Sequence, residues 1–139
     1  MLILIVLENF MDPIADMLST IKNSYAAGKK KITIPYSRLK FLLGQILVRE
    51  GFLLGVEEKE DKKGKKEIVL NLSYRGKNPA FSGFERLSKS GRRLYSRRDD
   101  LPKINRRLGT VIISTPAGLL TGREALEKNQ GGELICRVW

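Results

Sequence analysis

The chain has 139 residues, 42% of them apolar, which suffices for one compact domain or two small ones with a buried core. Lys and Arg number 26 against 15 Asp and Glu, so the formal net charge is +11 and nucleic acid is the leading partner. One cysteine and no histidine exclude an internal disulfide framework, the usual zinc sites and a neutral-pH histidine base.

The chain opens on an apolar stretch from Met1 to Leu7. Seven residues fall well short of the roughly 20 that a membrane span needs. There is no basic flank or small-residue cleavage site, so residues 1–10 read as a short extension, with Met11 as an alternative start. Asp12-Pro13 then starts a helix, because Asp caps free N–H groups and Pro suits the first helical position. Ile14, Met17, Leu18, Ile21 and Tyr25 supply its apolar face, and Gly28 stops it. Ile32 to Ile34 form a short strand that Pro35 ends. Ser37 caps a second helix with Leu39, Leu42, Leu43, Ile46 and Leu47 on one face and Gly51 at its end. Strands are expected over 52–58 and 66–74, joined by a charged, solvated turn with Gly64 at its tip.

Residues 75–79 read as a boundary, giving an N-terminal module of residues 11–76 and a C-terminal module of residues 77–139. Short strands are expected over 84–88 and 92–96 around Gly91. Asp99-Asp100 would cap a short helix over 101–107, and Gly109 would end it. A β-branched strand follows from Thr110 to Thr115, then the turn Pro116-Ala117-Gly118. Thr121 and Glu124 have capping-box spacing for a helix reaching about Lys128, and Gly131-Gly132 opens a last strand over 133–138. The fold class is α+β: an α-β-α-β-β module packed on a mostly antiparallel β module with short helices.

Catalytic equipment is missing. Cys136 lies in the apolar run Leu134-Ile135-Cys136 and reads as a small core residue. No phosphate-binding Gly-rich loop occurs, because Gly131-Gly132 lacks the following Lys and hydroxyl residue. The expectation is a protein that is not an enzyme and takes no metal or cofactor. A membrane surface is the weaker partner, since no helix joins a Lys-rich face to a broad aromatic one. The lone thiol fits a reducing compartment.

Three features suit RNA. Ser114 and Thr115 place two hydroxyls at the end of a stiff strand, beside a turn whose backbone can approach a ligand closely. Taken alone, the same segment reads more readily as an ordinary hairpin turn. Lys89, Arg92, Arg93, Arg97 and Arg98 surround Tyr95, and alternate strand residues can present two guanidiniums beside a ring. An edge strand protected by charge has the same look. Lys22, Lys29, Lys30, Lys31, Arg38 and Lys40 cluster in the loops around the first strand, where Tyr36 reads as a packing residue.

Several of these segments together resemble a known family. They are Asp12-Pro13-Ile14-Ala15-Asp16-Met17-Leu18, Ile34-Pro35-Tyr36-Ser37-Arg38-Leu39-Lys40, Ser90-Gly91-Arg92-Arg93-Leu94-Tyr95, and Ile113-Ser114-Thr115 through Gly118. Thr121-Gly122-Arg123-Glu124-Ala125 and the ending from Gly131 to Trp139 complete the set. In this order they are similar to the bacterial type of small-subunit ribosomal protein S-eight, from Met11 to the C-terminus.

The resemblance implies a two-domain α+β protein of the small ribosomal subunit, in the cytoplasm or in an organelle with bacterial-type ribosomes. Its partners would be the central domain of the small-subunit ribosomal RNA and neighbouring ribosomal proteins. A translational repressor acting on the messenger RNA of its own operon is the alternative. The implied RNA-binding residues are Ser114, Thr115, Gly118, Tyr95, Arg92, Arg93, Gly131, Gly132 and Glu133, with Lys30, Lys31 and Arg38 adding backbone contacts. The chain departs from the family pattern in two places. Pro116 and Ala117 stand where many members have Ser and Lys, removing a hydroxyl and a cation. Gly122 stands where many have Asp, which weakens the first turn of the last helix.

Overall fold

The computed structural model describes residues 12–139, so the apolar extension over residues 1–10 lies outside the described residues. Two compact units emerge, residues 13–82 in one and residues 83–139 with Asp12 in the other. Both mix helices with antiparallel strands, an α+β architecture.

In the first unit, α1 (Pro13–Ala26) buries Ile14, Met17, Leu18, Ile21 and Tyr25 at the expected spacing. It ends at Gly28, whose φ is 70°. The Gly28 N–H donates to Tyr25 O and the Lys29 N–H to Ser24 O, the two bonds that satisfy a helix C-terminus through a left-handed residue. Strand β1 (Lys31–Pro35) leads to α2 (Arg38–Arg49), which Ser37 caps by accepting from the Lys40 N–H at 3.2 Å. Leu43, Ile46 and Leu47 of α2 are buried, whereas Leu39, expected on the same face, remains 42% exposed in the first turn. Gly44 lets α2 approach the sheet, because a Cβ there would sit 3.0 Å from Val56 Cγ2.

Strands β2 (Gly55–Glu60) and β3 (Lys66–Asn71) complete a sheet in the order β1-β3-β2. The expected strand at 52–58 begins only at Gly55, since the Phe52 and Leu53 N–H groups still donate to Leu47 O behind the helix end. The expected strand at 66–74 stops at Asn71 for a similar local reason. The Ser73 N–H is taken by Tyr25 Oη, which itself donates to Phe52 O. Tyr25 stacks on Phe81, and burial pushes its phenol above the ordinary tyrosine value. A two-strand ribbon, β4 (Tyr74–Arg75) with β5 (Asn78–Pro79), follows.

The second unit contains β6 (Phe84–Arg86), β7 (Tyr95–Ser96), a 3-10 turn (Arg98–Asp100), α3 (Leu101–Asn105), β8 (Thr110–Thr115), β9 (Gly118–Thr121), α4 (Gly122–Glu127) and β10 (Gly132–Val138). Strand β10 is the axis of this sheet. It pairs with β8 on one side and with β6 and then β7 on the other, while β9 lies outside β8. Leu101, Ile113, Leu120 and Ala125 form a buried cluster against Leu126 and Leu134.

Strands expected at 84–88 and 92–96 are both shorter because Ser88 turns inward. Its hydroxyl accepts from the Leu94 N–H at 2.9 Å, and Gly91, at φ 81°, closes a tight turn between Lys89 and Arg92. Asp100 makes no side-chain cap to α3, which instead follows directly on the 3-10 turn. Strand β9 is an addition to the expected elements. Its last residue, Thr121, forms a complete capping box with Glu124, as the spacing predicts.

Candidate nucleic-acid interface

Strand pairing in the second unit builds one continuous row of side chains. Glu133 on β10 sits opposite Tyr95 on β7 and opposite Ser114 on β8. Residues directly opposite one another share a face, so Tyr95, Glu133 and Ser114 line up across three strands. Arg93 reaches into this row, with Nη1 3.3 Å from Glu133 Oε2. Tyr95 is 72% exposed, so its side chain is open to solvent. Ser114 is exposed, and among the described residues its hydroxyl has no partner.

Thr115 behaves differently from its neighbour. Its hydroxyl donates to Gly118 O at 2.9 Å and accepts from the Ala117 N–H at 3.1 Å, so it closes the hairpin from within. The two-residue loop Pro116-Ala117 therefore has a fixed shape and is exposed throughout. Gly118 takes φ 113°, a conformation that favours glycine.

The glycines at the start of β10 have a steric purpose. A Cβ on Gly132 would lie 2.0 Å from Ser114 O, and one on Gly131 would lie 2.4 Å from Ser96 O. Only bare backbone allows β7, β10 and β8 to converge here. The seven expected residues Ser114, Thr115, Gly118, Tyr95, Gly131, Gly132 and Glu133 thus occupy one end of one sheet. Arg92 and Arg93 project from the turn that precedes β7, and both are exposed.

Further cations surround this end. Arg97 is exposed at the start of the 3-10 turn, and Arg98 is held by Asn129 Oδ1 at 3.0 Å and by Asp99. The alternation expected for Arg93, Tyr95 and Arg97 is not a strand face, because β7 is only two residues long. Arg93 pairs with Glu133 beside the ring instead.

In the first unit the expected basic residues fall on different elements. Lys30 and Lys31 lie at the start of β1, and Arg38 follows its far end on the first residue of α2. All three are exposed. Tyr36 packs by Phe41, with Lys66 Nζ 5.3 Å from the centre of its ring.

Cys136 is fully buried, and burial pushes its thiol up to about 12, leaving no thiolate near neutral pH. No group of three His, Cys, Asp or Glu among the described residues could hold a metal ion. Nor is any helix among them long and apolar enough to cross a membrane.

Fold and face define a basic α+β protein that presents hydroxyl, ring and guanidinium groups from one sheet end. The family model described as Ribosomal protein S8 matches residues 12–139. The chain belongs to the ribosomal protein S8 family. It is 42% identical over 128 residues to small ribosomal subunit protein uS8 of Oleidesulfovibrio alaskensis, covering 92% of this chain and 98% of that one. Its identity to the uS8 protein of Pelagibacter ubique is 44% over 128 residues, covering 92% and 97%. The corresponding protein of Thermoanaerobacter pseudethanolicus is 43% identical over 129 residues, again covering 92% and 97%.

Proposed function

We propose that this protein is a structural constituent of the small ribosomal subunit that binds the central domain of its ribosomal RNA directly and supports subunit assembly. Family membership over residues 12–139 supports the ribosomal setting. The observation that carries the RNA contact is the row Tyr95–Glu133–Ser114, with Arg93 beside it. A shallow RNA minor groove displays 2′-hydroxyls and base edges. The free Ser114 hydroxyl can exchange hydrogen bonds with those groups, the Tyr95 ring can stack an unpaired base, and Arg92 and Arg97 can meet phosphates. The turn at Pro116 and Ala117 then works through backbone and shape, without the hydroxyl and cation that many members carry there. Lys30, Lys31 and Arg38 add sequence-independent attraction.

Binding of the purified protein to a central-domain RNA fragment and to an unrelated duplex, at physiological salt, tests this reading. The central-domain fragment should bind tighter by about 1,000-fold, a difference within the range for specific over non-specific recognition. Equal affinities would overturn it.

A further inference from the structure

We infer that Arg86 is a positioning residue for RNA recognition: it locks the bulge in β10 that brings Glu133 into line with Tyr95 and Ser114. This rests on the RNA-binding reading above and assigns the side chain that assembles its site.

From the C-terminal end of β10, Val138 pairs with Thr110, Arg137 with Val111 and Cys136 with Ile112. An unbroken ladder would next place Ile135 opposite Ile113, Leu134 opposite Ser114 and Glu133 opposite Thr115. The observed ladder instead pairs Leu134 with Ile113 and Glu133 with Ser114, leaving Ile135 as the extra residue. Side chains alternate between faces, so this single step exchanges the two faces for every residue beyond it. Leu134, half-buried, packs against the buried cluster that contains Ile113, and Glu133 joins Ser114 and Tyr95 on the open row. Without the bulge a leucine would stand in that row.

Arg86 holds the step in place. Its Nη1 donates to Ile135 O, the carbonyl of the extra residue, which also accepts from the Leu87 N–H at 3.0 Å. Both acceptor positions of that carbonyl are thereby filled. The guanidinium is fixed from its other side by Asp12, whose Oδ2 lies 2.9 Å from Arg86 Nε in an ion pair. The Arg86 side chain is only 12% exposed, so its charge is committed to this cradle and is not part of the outward cationic surface. A planar fork suits a site that must meet a carbonyl and a carboxylate at once, whereas an ammonium meets them as a point charge. Sites of this kind depend on the groups that hold the contacting residues.

The test compares wild type, Arg86→Gln, Arg86→Lys and Asp12→Asn, using the central-domain fragment and an unrelated duplex, well below each protein's melting temperature. Arg86→Gln should lose about tenfold in affinity for the fragment and leave duplex affinity and its salt slope unchanged. Arg86→Lys should recover part of the loss, and Asp12→Asn should show a smaller loss in the same direction. Amide resonances of Gly132 and Glu133 should shift in all three variants. Should Arg86→Gln fail to fold, Asp12→Asn decides alone. Undiminished fragment binding by the folded variants, or an equal loss on both RNAs, overturns the assignment. A wild type that does not prefer the fragment overturns instead the RNA-binding reading beneath it.

Discussion

Ser114 and Thr115 are adjacent hydroxyl residues with unlike duties. The Thr115 hydroxyl donates its proton to Gly118 O and accepts from the Ala117 N–H, while the Ser114 hydroxyl is open to a ligand. On the proposed reading, Ser114→Ala lowers affinity for the central-domain fragment by about 1–2 kcal/mol, the scale of removing one hydrogen-bonding group from an interface. Its thermal melting should stay where it was. Thr115→Val should lower melting temperature and fragment affinity together, because it opens the turn, and Thr115→Ser should restore both. Calorimetric melting alongside fragment titration separates the two residues. If Thr115→Val bound normally, the closed turn would have no part in recognition.

Local chemistry governs the ends of the elements. Three helices finish on a left-handed residue with the same pair of backbone bonds: Gly28 after α1, Gly51 after α2 and Asn129 after α4. At its start α4 carries the full Thr121–Glu124 box. Thr121→Ala should therefore destabilise the protein by about 1 kcal/mol, measurable by denaturant titration. Gly122 meets a constraint of packing as well, since a Cβ there would lie 2.1 Å from Asn105 Oδ1. The weaker first turn expected from Gly122 is thus accompanied by close contact of α3 with α4.

The Ser37 cap, the Thr121–Glu124 box and the helix-ending Gly28 and Gly51 were legible in the sequence because each acts within three or four residues, whereas the Asp99-Asp100 cap did not form and the close approaches at Gly131 and Gly132 involve distant strands. The span of β8 was legible too, from its β-branched run ending at Thr115. The bulge at Ile135 was not, since one extra apolar residue in Leu134-Ile135-Cys136 leaves no mark in composition. The short β9 hid between a turn and a cap. The row across β7, β10 and β8 is also invisible along the chain, where Tyr95, Ser114 and Glu133 are about 20 residues apart each time. Only the resemblance grouped them.

Across the whole molecule, charge is unevenly distributed along the chain. Residues 77–139 carry 13 basic and six acidic groups, against 13 and nine in residues 1–76. Ordered contacts at one sheet end and solvated lysines elsewhere should respond differently to salt. Lys30→Ala should weaken fragment and duplex alike and reduce the slope of log affinity on log salt by about one. A selective loss on the fragment alone would make Lys30 a reader of RNA structure. The bulge in β10 has a consequence of another kind, for how such a chain can change over generations. Substitutions along the strand alter one contact at a time, but losing or gaining one residue between Cys136 and Glu133 would turn the inside out for everything upstream on that strand. The outward surface is thus specified by a count of residues, and β10 should accept altered letters far more readily than altered length.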